Sequence, residues 1–290
     1  MSRNITEIVS KYNQNGYLFP LDAMSPEQAL AYRSQFEAAE REYKDKDKDK
    51  DKDPDFDALV FGHANMVLPF IDEITRLPDV LDPVKAILGP DVLVWGVNLF
   101  IKEAESPNYV SWHQDLTYWD LNDVEEVTAW IALSPATVNN GCMRFAPGTH
   151  TREIVSHHDT FARANQLSRG QEIEVKVDES ETVNVVLSPG QMSLHHGRIF
   201  HASHANRTTD RRIGLAIRYI TPAMHQLSGV KSYVTLVSGE DRFGHFNLVP
   251  APIRVMDPAD LAMARQAVEA GEKFLYAGAG GQGQRRLLRE

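Results

Sequence analysis

The sequence predicts a mainly β core with helices at both ends of the chain, and three observations lead to this prediction. Up to residue 90, the pattern of apolar side chains is that of helices. Residues 91–222 contain short runs of β-forming residues with turn signals between them, which is typical of a sandwich or barrel. A last helical pattern covers residues 258–275. Because the helices come first and the strands after, we expect a helical layer packed on one β core and not a βαβ fold.

The N-terminal layer is predicted to contain several helices. Two are expected between residues 4 and 43, and the second has a good start at Ser25-Pro26, since Ser caps free N–H groups and Pro suits the first helical position. The apolar run G-Y-L-F-P-L between them could form an edge strand. Further helices are expected over residues 57–88, and Gly89-Pro90 ends them because neither residue continues a helix well.

Seven runs in the middle of the chain are predicted to be strands. They are short, rich in β-branched and aromatic residues, and bounded by turn signals. The runs are V-L-V-W-G-V-N-L-F-I-K at 92–102, the stretch Y-V-S-W-H-Q-D-L-T-Y-W-D at 109–120, V-T-A-W-I-A-L at 127–133, E-I-E-V-K-V at 172–177, T-V-N-V-V-L at 182–187, Q-M-S-L-H-H at 191–196 and R-I-G-L-A-I-R-Y-I at 212–220.

We expect one domain over residues 1–290, made of a helical layer at 1–90, a β core at 91–222 and a C-terminal segment and tail at 223–290. Residues 44–53 alternate Lys and Asp five times. Since this tract has no apolar side chain to bury, it is predicted to be a solvated or disordered loop or a frayed helix extension. The alternative is an electrostatic docking arm. The glycine-rich tail after the last helix is predicted to be disordered.

The composition favours a cytoplasmic globular protein. Hydrophobic residues make up 42% and charged residues 24% of the chain, as in ordinary globular domains. A net charge of -10 argues against general nucleic-acid binding, and the lack of a long apolar run argues against a membrane span. The single cysteine, Cys142, excludes an internal disulfide framework and suits a reducing compartment. A small molecule is the expected partner, and a homo-oligomer is left open.

His113-Gln114-Asp115 is the feature that first indicates chemistry. On a strand, residues two apart point to the same face, so His113 and Asp115 could offer a nitrogen and an oxygen to one metal. An isolated H-x-D is more often an exposed polar pair, so a third ligand is needed to support a metal site. The candidates lie far downstream: His195, His196, His201 and His204. Two imidazoles and one carboxylate occupy one face of an octahedral iron(II) and leave three positions open.

Three motifs in order resemble the phytanoyl-CoA dioxygenase family of iron(II)- and 2-oxoglutarate-dependent oxygenases. They are W-H-Q-D-L, N-N-G-C-M-R-F-A-P-G-T-H at 139–150 and H-A-S-H-A-N at 201–206. The resemblance covers about residues 95–222 and implies a double-stranded β-helix, the jelly-roll or cupin-like fold. It implies that His113, Asp115 and His201 are the iron ligands. His195 and His196 are competing candidates, but neither is followed by the S-x-x-N pattern that follows His201.

The same resemblance implies where 2-oxoglutarate binds. Arg212 matches the arginine that pairs with the remote carboxylate, and Ser203 matches a hydroxyl that helps to hold it. Trp130 matches a tryptophan that lines the co-substrate pocket, and Thr128 shares its strand face. Arginine suits this role because its planar fork binds a carboxylate through two parallel hydrogen bonds. Gly214 and Ala216, on the same predicted face as Arg212, would leave room for a small diacid.

The reaction that the resemblance implies is hydroxylation of an unactivated C–H bond, with O2 consumed and 2-oxoglutarate converted to succinate and CO2. Asp115 favours hydroxylation over halogenation, because related halogenases have a small residue there so that chloride can bind iron. Two alternatives remain open: a non-catalytic, cupin-like binding protein for a metal or small molecule, and a zinc hydrolase that uses the same ligands.

The substrate is expected to be a small metabolite, anionic or zwitterionic, such as an aminophosphonate or an organic acid. Arg218 and Arg144 are candidates for binding its anionic group, the alternative for each being a structural or surface ion pair. Tyr118 and Trp119, close to Asp115, are expected either to line the substrate pocket or to belong to the core. An acyl-CoA is less favoured, since no basic patch is present to bind its phosphates.

Overall fold

The computed structural model describes residues 5–46 and 56–276, and these residues form seven α-helices and thirteen strands. The helices are α1 (Ile5–Asn15), α2 (Pro26–Lys46), α3 (Phe56–Val60), α4 (Ala64–Val67), α5 (Pro69–Thr75), α6 (Pro78–Leu88) and α7 (Pro258–Leu275). The strands are β1 (Tyr17–Asp22), β2 (Val92–Lys102), β3 (Val110–His113), β4 (Glu126–Ala132), β5 (Met143–Phe145), β6 (His157–Asp159), β7 (Gln171–Ile173), β8 (Val183–Asn184), β9 (Gln191–His195), β10 (His201–Ser203), β11 (Arg212–Ile220), β12 (Tyr233–Ser238) and β13 (Asn247–Leu248).

The strands form a major sheet, a minor sheet and a separate pair. The major sheet has the order β1-β9-β4-β11-β2-β12-β13, the minor sheet has the order β3-β10-β5-β8, and β6 pairs with β7. The two larger sheets share no strand within the described residues, so they stay open, and both contribute residues to one cavity. This arrangement agrees with the predicted jelly-roll core with helices at both ends.

Alternation along β11 decides which side chains meet the helices and which meet the cavity. All nine residues of β11 are buried, as expected for a central strand covered on both faces. Ile213, Leu215 and Ile217 join an apolar cluster that also contains Phe36 and Ile71 from the N-terminal helices. The intervening residues of β11 face the other way, and Arg212, Ala216 and Arg218 line the cavity. The helical layer therefore covers the outer face of the major sheet and leaves the inner face for chemistry.

The N-terminal predictions are confirmed where the structure describes them. Helix α2 begins at Pro26, and the Ser25 hydroxyl accepts a hydrogen bond from the Gln28 backbone N–H at 3.2 Å. Strand β1 lies at one edge of the major sheet, paired only with β9. Helix α2 continues to Lys46, and the rest of the predicted Lys/Asp tract lies outside the described residues, as does the tail after residue 276.

Three details of the predicted strands are wrong. The run at 172–177 pairs only as far as Ile173, because Val175 and Val177 pack against an apolar cluster instead of a neighbouring strand. The run at 182–187 forms a two-residue strand, β8. The sheet also does not end near residue 222, since β12 pairs antiparallel with β2 and extends the major sheet.

No helix in residues 5–46 or 56–276 is long and apolar enough to cross a membrane.

Candidate functional site

His113, Asp115 and His201 form a compact cluster of possible metal ligands. Their ligand atoms all lie within 4.8 Å of one another. His113 ends β3 and His201 begins β10, and the two residues are directly opposite in this antiparallel pair. Asp115 is not on the strand: the chain leaves β3 after His113, and Asp115 opens a short 3-10 helix, Asp115–Tyr118. The expected convergence is present, but it arises from a turn at the strand end and not from alternation along one strand.

Each histidine of the cluster has its free nitrogen directed at the carboxylate. His113 Nδ1 donates to the Ser111 carbonyl at 2.9 Å, and His201 Nδ1 donates to the Ile199 carbonyl at 3.0 Å. Since a carbonyl only accepts, each Nδ1 must carry the hydrogen, which leaves Nε2 with a lone pair for a metal. The Nε2 atoms lie 3.4 Å (His113) and 3.9 Å (His201) from Asp115 Oδ1.

The protonation states suit a divalent metal. Burial would raise the pKa of Asp115, yet the surrounding imidazoles of His201, His113 and His195 hold it well below its usual value. Burial, together with the neighbouring His113, lowers the pKa of His201 well below its usual value. At neutral pH the cluster thus offers an anionic carboxylate and a neutral imidazole, the forms that coordinate metals.

His195 and His196, the competing candidates, lie outside this cluster. His195 is buried beside it, with Nε2 3.8 Å from the other carboxylate oxygen of Asp115. His196 packs beside Tyr12 and His150, and its Nδ1 accepts a hydrogen bond from the Arg198 backbone N–H. The structure therefore groups His201, and neither competitor, with His113 and Asp115.

The four residues predicted to hold the co-substrate line one inner cavity between the two sheets. The same cavity is lined by all three residues of the ligand cluster. These lining residues are Thr128, Trp130, Ser203 and Arg212 with His113, Asp115 and His201. A small ligand in this cavity would reach the metal position and Arg212 together.

Arg212 is a buried cation that no carboxylate balances among the described residues. It is 1% exposed; one terminal nitrogen donates to the Gly141 carbonyl at 2.6 Å, and its buried Nε has no partner. Its guanidinium lies 5.3 Å from the centre of the Trp130 ring. Burial lowers its pKa to about 10, so it remains charged at neutral pH. An unbalanced buried charge is costly, and a bound carboxylate would relieve that cost.

Lys102 is a second buried basic residue at the same place, and it was not predicted from the sequence. It is 0% exposed and lies opposite Arg212 in the β2–β11 pairing. Its Nζ donates to Ser203 Oγ at 2.7 Å and to the His204 carbonyl. The available signal was a single charged residue, this lysine, at the end of the mostly apolar run at 92–102.

Gly214 does not provide room for a diacid, contrary to the prediction. A Cβ atom at Gly214 would lie 1.8 Å from Cζ2 of Trp130, so the indole ring fills that space. Ala216 does line the inner cavity. The glycine therefore allows Trp130 to lie flat on β11, under the guanidinium of Arg212.

Thr128 contacts a further buried acid, Glu126, which was not predicted from the sequence to belong to the site. The Thr128 hydroxyl donates to Glu126 Oε1 at 2.5 Å, two residues earlier on β4. Burial raises the pKa of Glu126 to about 8, so this carboxyl is largely protonated at neutral pH. Thr128 thus lines the inner cavity, but its hydroxyl hydrogen is donated to Glu126.

A larger outer cleft opens from the ligand cluster toward the helices. Its walls include Phe61, Trp95 and, from α7, Phe274 and Leu275. Both predicted aromatic candidates, Tyr118 and Trp119, line this cleft, and Trp119 is at the same time a buried residue. Four residues line both cavities, so these meet at the metal position: Phe100, His113, Asp115 and Arg218.

The two arginines proposed for the substrate lie in different surroundings. Arg218 is 8% exposed, donates to Asn98 Oδ1 and lies 4.8 Å above the Trp119 ring, within both cavities. Arg144 instead pairs with the exposed Glu179 at 3.1 Å and lines neither cavity. Arg218 therefore lies where a ligand in either cavity could reach it, whereas Arg144 forms an ion pair with Glu179 outside both cavities.

Comparisons with solved structures agree with this fold. The solved structure "non-heme monooxygenase; ThoJ apo" is 31% identical with a TM-score of 0.84, and the match covers 95% of this chain and 100% of that chain. CytC3 with Fe(II) and alpha-ketoglutarate has the same fold, with 21% identity, a TM-score of 0.63 and coverage of 87% and 94%. The two open sheets therefore place the protein in the class of jelly-roll folds to which these solved structures belong, and the His113-Asp115-His201 cluster could hold a metal ion.

The family is defined by the sequence match. The model of the phytanoyl-CoA dioxygenase (PhyH) family matches residues 12–214, so the chain belongs to that family. A probable alpha-ketoglutarate-dependent hypophosphite dioxygenase of Stutzerimonas stutzeri is 27% identical over 165 residues, which cover 56% of this chain. The chain spans between 40% and 57% of the length of the first curated relatives that it matches.

Proposed function

We propose that the protein hydroxylates an unactivated C–H bond of a small molecule, using iron(II), 2-oxoglutarate and O2 and releasing succinate and CO2. His113, Asp115 and His201 would hold the iron, and Arg212 would bind the remote carboxylate of 2-oxoglutarate. One observation carries the proposal: a metal-ligand cluster and a buried, unbalanced arginine line the same inner cavity.

The chain's own groups would have distinct tasks in this reaction. Two Nε2 lone pairs and one carboxylate would hold the metal and leave coordination positions for the co-substrate and O2. Arg212 fixes the far end of the diacid, and Ser203 offers a hydroxyl beside it. When bound, iron with 2-oxoglutarate and O2 supplies the oxidising chemistry. Because Asp115 occupies a ligand position, no place is left for a halide, and hydroxylation is favoured over halogenation.

The outer cleft indicates the kind of substrate. Its aromatic and aliphatic walls would bury an apolar body, whereas Arg218 faces the metal position with a charge and an Nε that has no partner. We therefore propose a substrate with an apolar part and an anionic or hydrogen-bond-accepting group near the oxidised carbon. A small aminophosphonate would satisfy Arg218 but would leave the aromatic walls uncovered.

The test is substrate-dependent succinate release with iron(II), ascorbate and 2-oxoglutarate, screened over organic acids, amines, phosphonates and larger apolar acids. Without air, iron(II) and 2-oxoglutarate should also give a weak visible charge-transfer band, which zinc cannot produce. Failure of both measurements would refute the oxygenase function. Zinc-dependent hydrolysis without the band would favour the hydrolase alternative, and metal binding without turnover would favour the binding protein.

A further inference from the structure

Lys102 and Arg212 are two buried basic residues that lie side by side. They are opposite each other on adjacent strands and are 0% and 1% exposed. Neither forms an ion pair with a carboxylate within residues 5–46 and 56–276. Burying one charge without a partner is costly, and a second like charge adds repulsion. The pair is therefore suited to bind an anion that is not one of the chain's own described carboxylates.

Arg212 carries the charge among the titratable groups that face Lys102. From β11 it faces Arg212, from the segment before β5 it faces Cys142, and from the segment after β10 it faces His204. Burial raises the pKa of the Cys142 thiol and lowers the pKa of the His204 imidazole, so both are neutral near pH 7.5. Burial and the charge of Arg212 lower the pKa of Lys102 to about 6. Without an anion, Lys102 is mostly a neutral amine at that pH.

Hydrogen bonding connects Lys102 to the inner cavity through Ser203. Lys102 Nζ donates to Ser203 Oγ at 2.7 Å and also to the His204 carbonyl. A neutral amine has two N–H groups, and these two acceptors use both of them. Because Ser203 Oγ accepts from Lys102, its own hydrogen is free for another acceptor. Ser203 lines the cavity beside Arg212, so that acceptor would be the remote carboxylate of the co-substrate.

We propose that Lys102 is a positioning residue of the co-substrate anchor: it orients the Ser203 hydroxyl toward the remote carboxylate, and it takes up one proton when the diacid binds. The proton comes from solvent and converts the Nζ amine to ammonium, whose charge then balances the carboxylate together with Arg212. This inference rests on the proposed function, because it requires 2-oxoglutarate as the ligand of the inner cavity.

Calorimetric titration of 2-oxoglutarate into the full chain loaded with Mn(II) tests the proposal without turnover. Titrations at pH 7.5 in buffers of different ionisation enthalpy give the number of protons taken up on binding. The wild type should take up close to one proton, and its Kd should rise up to about tenfold per pH unit above pH 7. Lys102→Met should bind at least about tenfold more weakly at pH 7, with almost no proton uptake and little dependence on pH.

Two further variants separate this role from a structural one. Lys102→Arg keeps a permanent charge, so it should retain binding but lose the proton uptake. Lys231→Met, which removes an exposed lysine, should behave as the wild type. Wild-type binding without proton uptake, or equal uptake in Lys102→Met, would overturn the proposal. If Lys102→Met does not fold, the wild type alone provides the test: a Kd for 2-oxoglutarate that is constant between pH 6 and 9 would also overturn the proposal. No binding at all by the wild type would instead refute the proposed function.

Discussion

His113 and His201 face each other across the β3–β10 pair with ring centroids 4.0 Å apart. Strand register, and not proximity in sequence, therefore sets the distance between the two imidazoles. Both rings are held by backbone carbonyls two residues earlier in the chain. The two imidazoles are thus oriented by main-chain contacts in the absence of a metal, which would limit the cost of organising a metal site.

Removal of a proposed ligand should abolish iron-dependent turnover. His201→Ala or Asp115→Ala takes away one of three donors, and turnover should fall by at least about 100-fold, more than for loss of a supporting group. Succinate release and the iron bound per chain measure this effect. His158→Ala changes an exposed histidine on β6 and should have no effect. Normal iron content and activity in either ligand variant would show that the cluster is not the iron site.

Arg212→Ala should mainly raise the 2-oxoglutarate requirement. A charged hydrogen-bonding partner in a buried site contributes about 1.5–3 kcal/mol, which corresponds to about 10- to 100-fold in KM for 2-oxoglutarate. The KM for the primary substrate should change little. Arg144→Ala, which breaks the ion pair with Glu179 outside both cavities, is the matched control. An unchanged 2-oxoglutarate KM in Arg212→Ala would contradict the assigned role.

Gly214→Ala should displace the Trp130 ring, because the new Cβ would meet Cζ2 at 1.8 Å. Overpacking of this kind typically costs about 1–3 kcal/mol of stability. The guanidinium of Arg212 would also lose its aromatic support, so the 2-oxoglutarate affinity should fall. Chemical denaturation and calorimetry measure the two effects. Adding Trp130→Phe to Gly214→Ala makes space and should recover part of the stability; no recovery would locate the strain elsewhere.

Stability should depend on pH through Glu126. Burial raises its folded-state pKa to about 8, while an unfolded glutamate ionises near pH 4.5. Between these values the folded chain holds a proton that the unfolded chain has released. The contribution of Glu126 to the free energy of unfolding is therefore fully present below pH 4.5 and is lost as the pH rises through about 8. Between these pH values the loss is on the order of 1 kcal/mol per pH unit.

Denaturation at pH 6 and pH 8.5 would measure this loss. Glu126→Gln keeps an acceptor for the Thr128 hydroxyl and cannot ionise, so its stability should fall less between the two pH values. The exposed neighbour Glu125 offers a control, since Glu125→Gln should retain the wild-type slope. Equal slopes in wild type and Glu126→Gln would show that Glu126 is already ionised at pH 6.

Local sequence patterns were sufficient to predict much of the fold and of the candidate site. The alternation in R-I-G-L-A-I-R-Y-I correctly predicted which face of β11 carries Arg212 and Arg218, and the S-x-x-N pattern separated His201 from its neighbours. Lys102 was missed because a lysine at a strand end normally reaches solvent, and only the pairing with β11 shows that it is enclosed. The turn at Asp115 and the pairing of β12 with β2 depend on tertiary contacts in the same way.

The outer cleft takes its walls from distant parts of the chain, with Phe61 following α3 and Phe274 and Leu275 at the end of α7, whereas the inner cavity is built from the central strands. Changes in these helical segments can therefore alter which molecule is oxidised without disturbing the ligands or the diacid anchor. Under the proposed function, this division makes α7 the natural place to engineer selectivity.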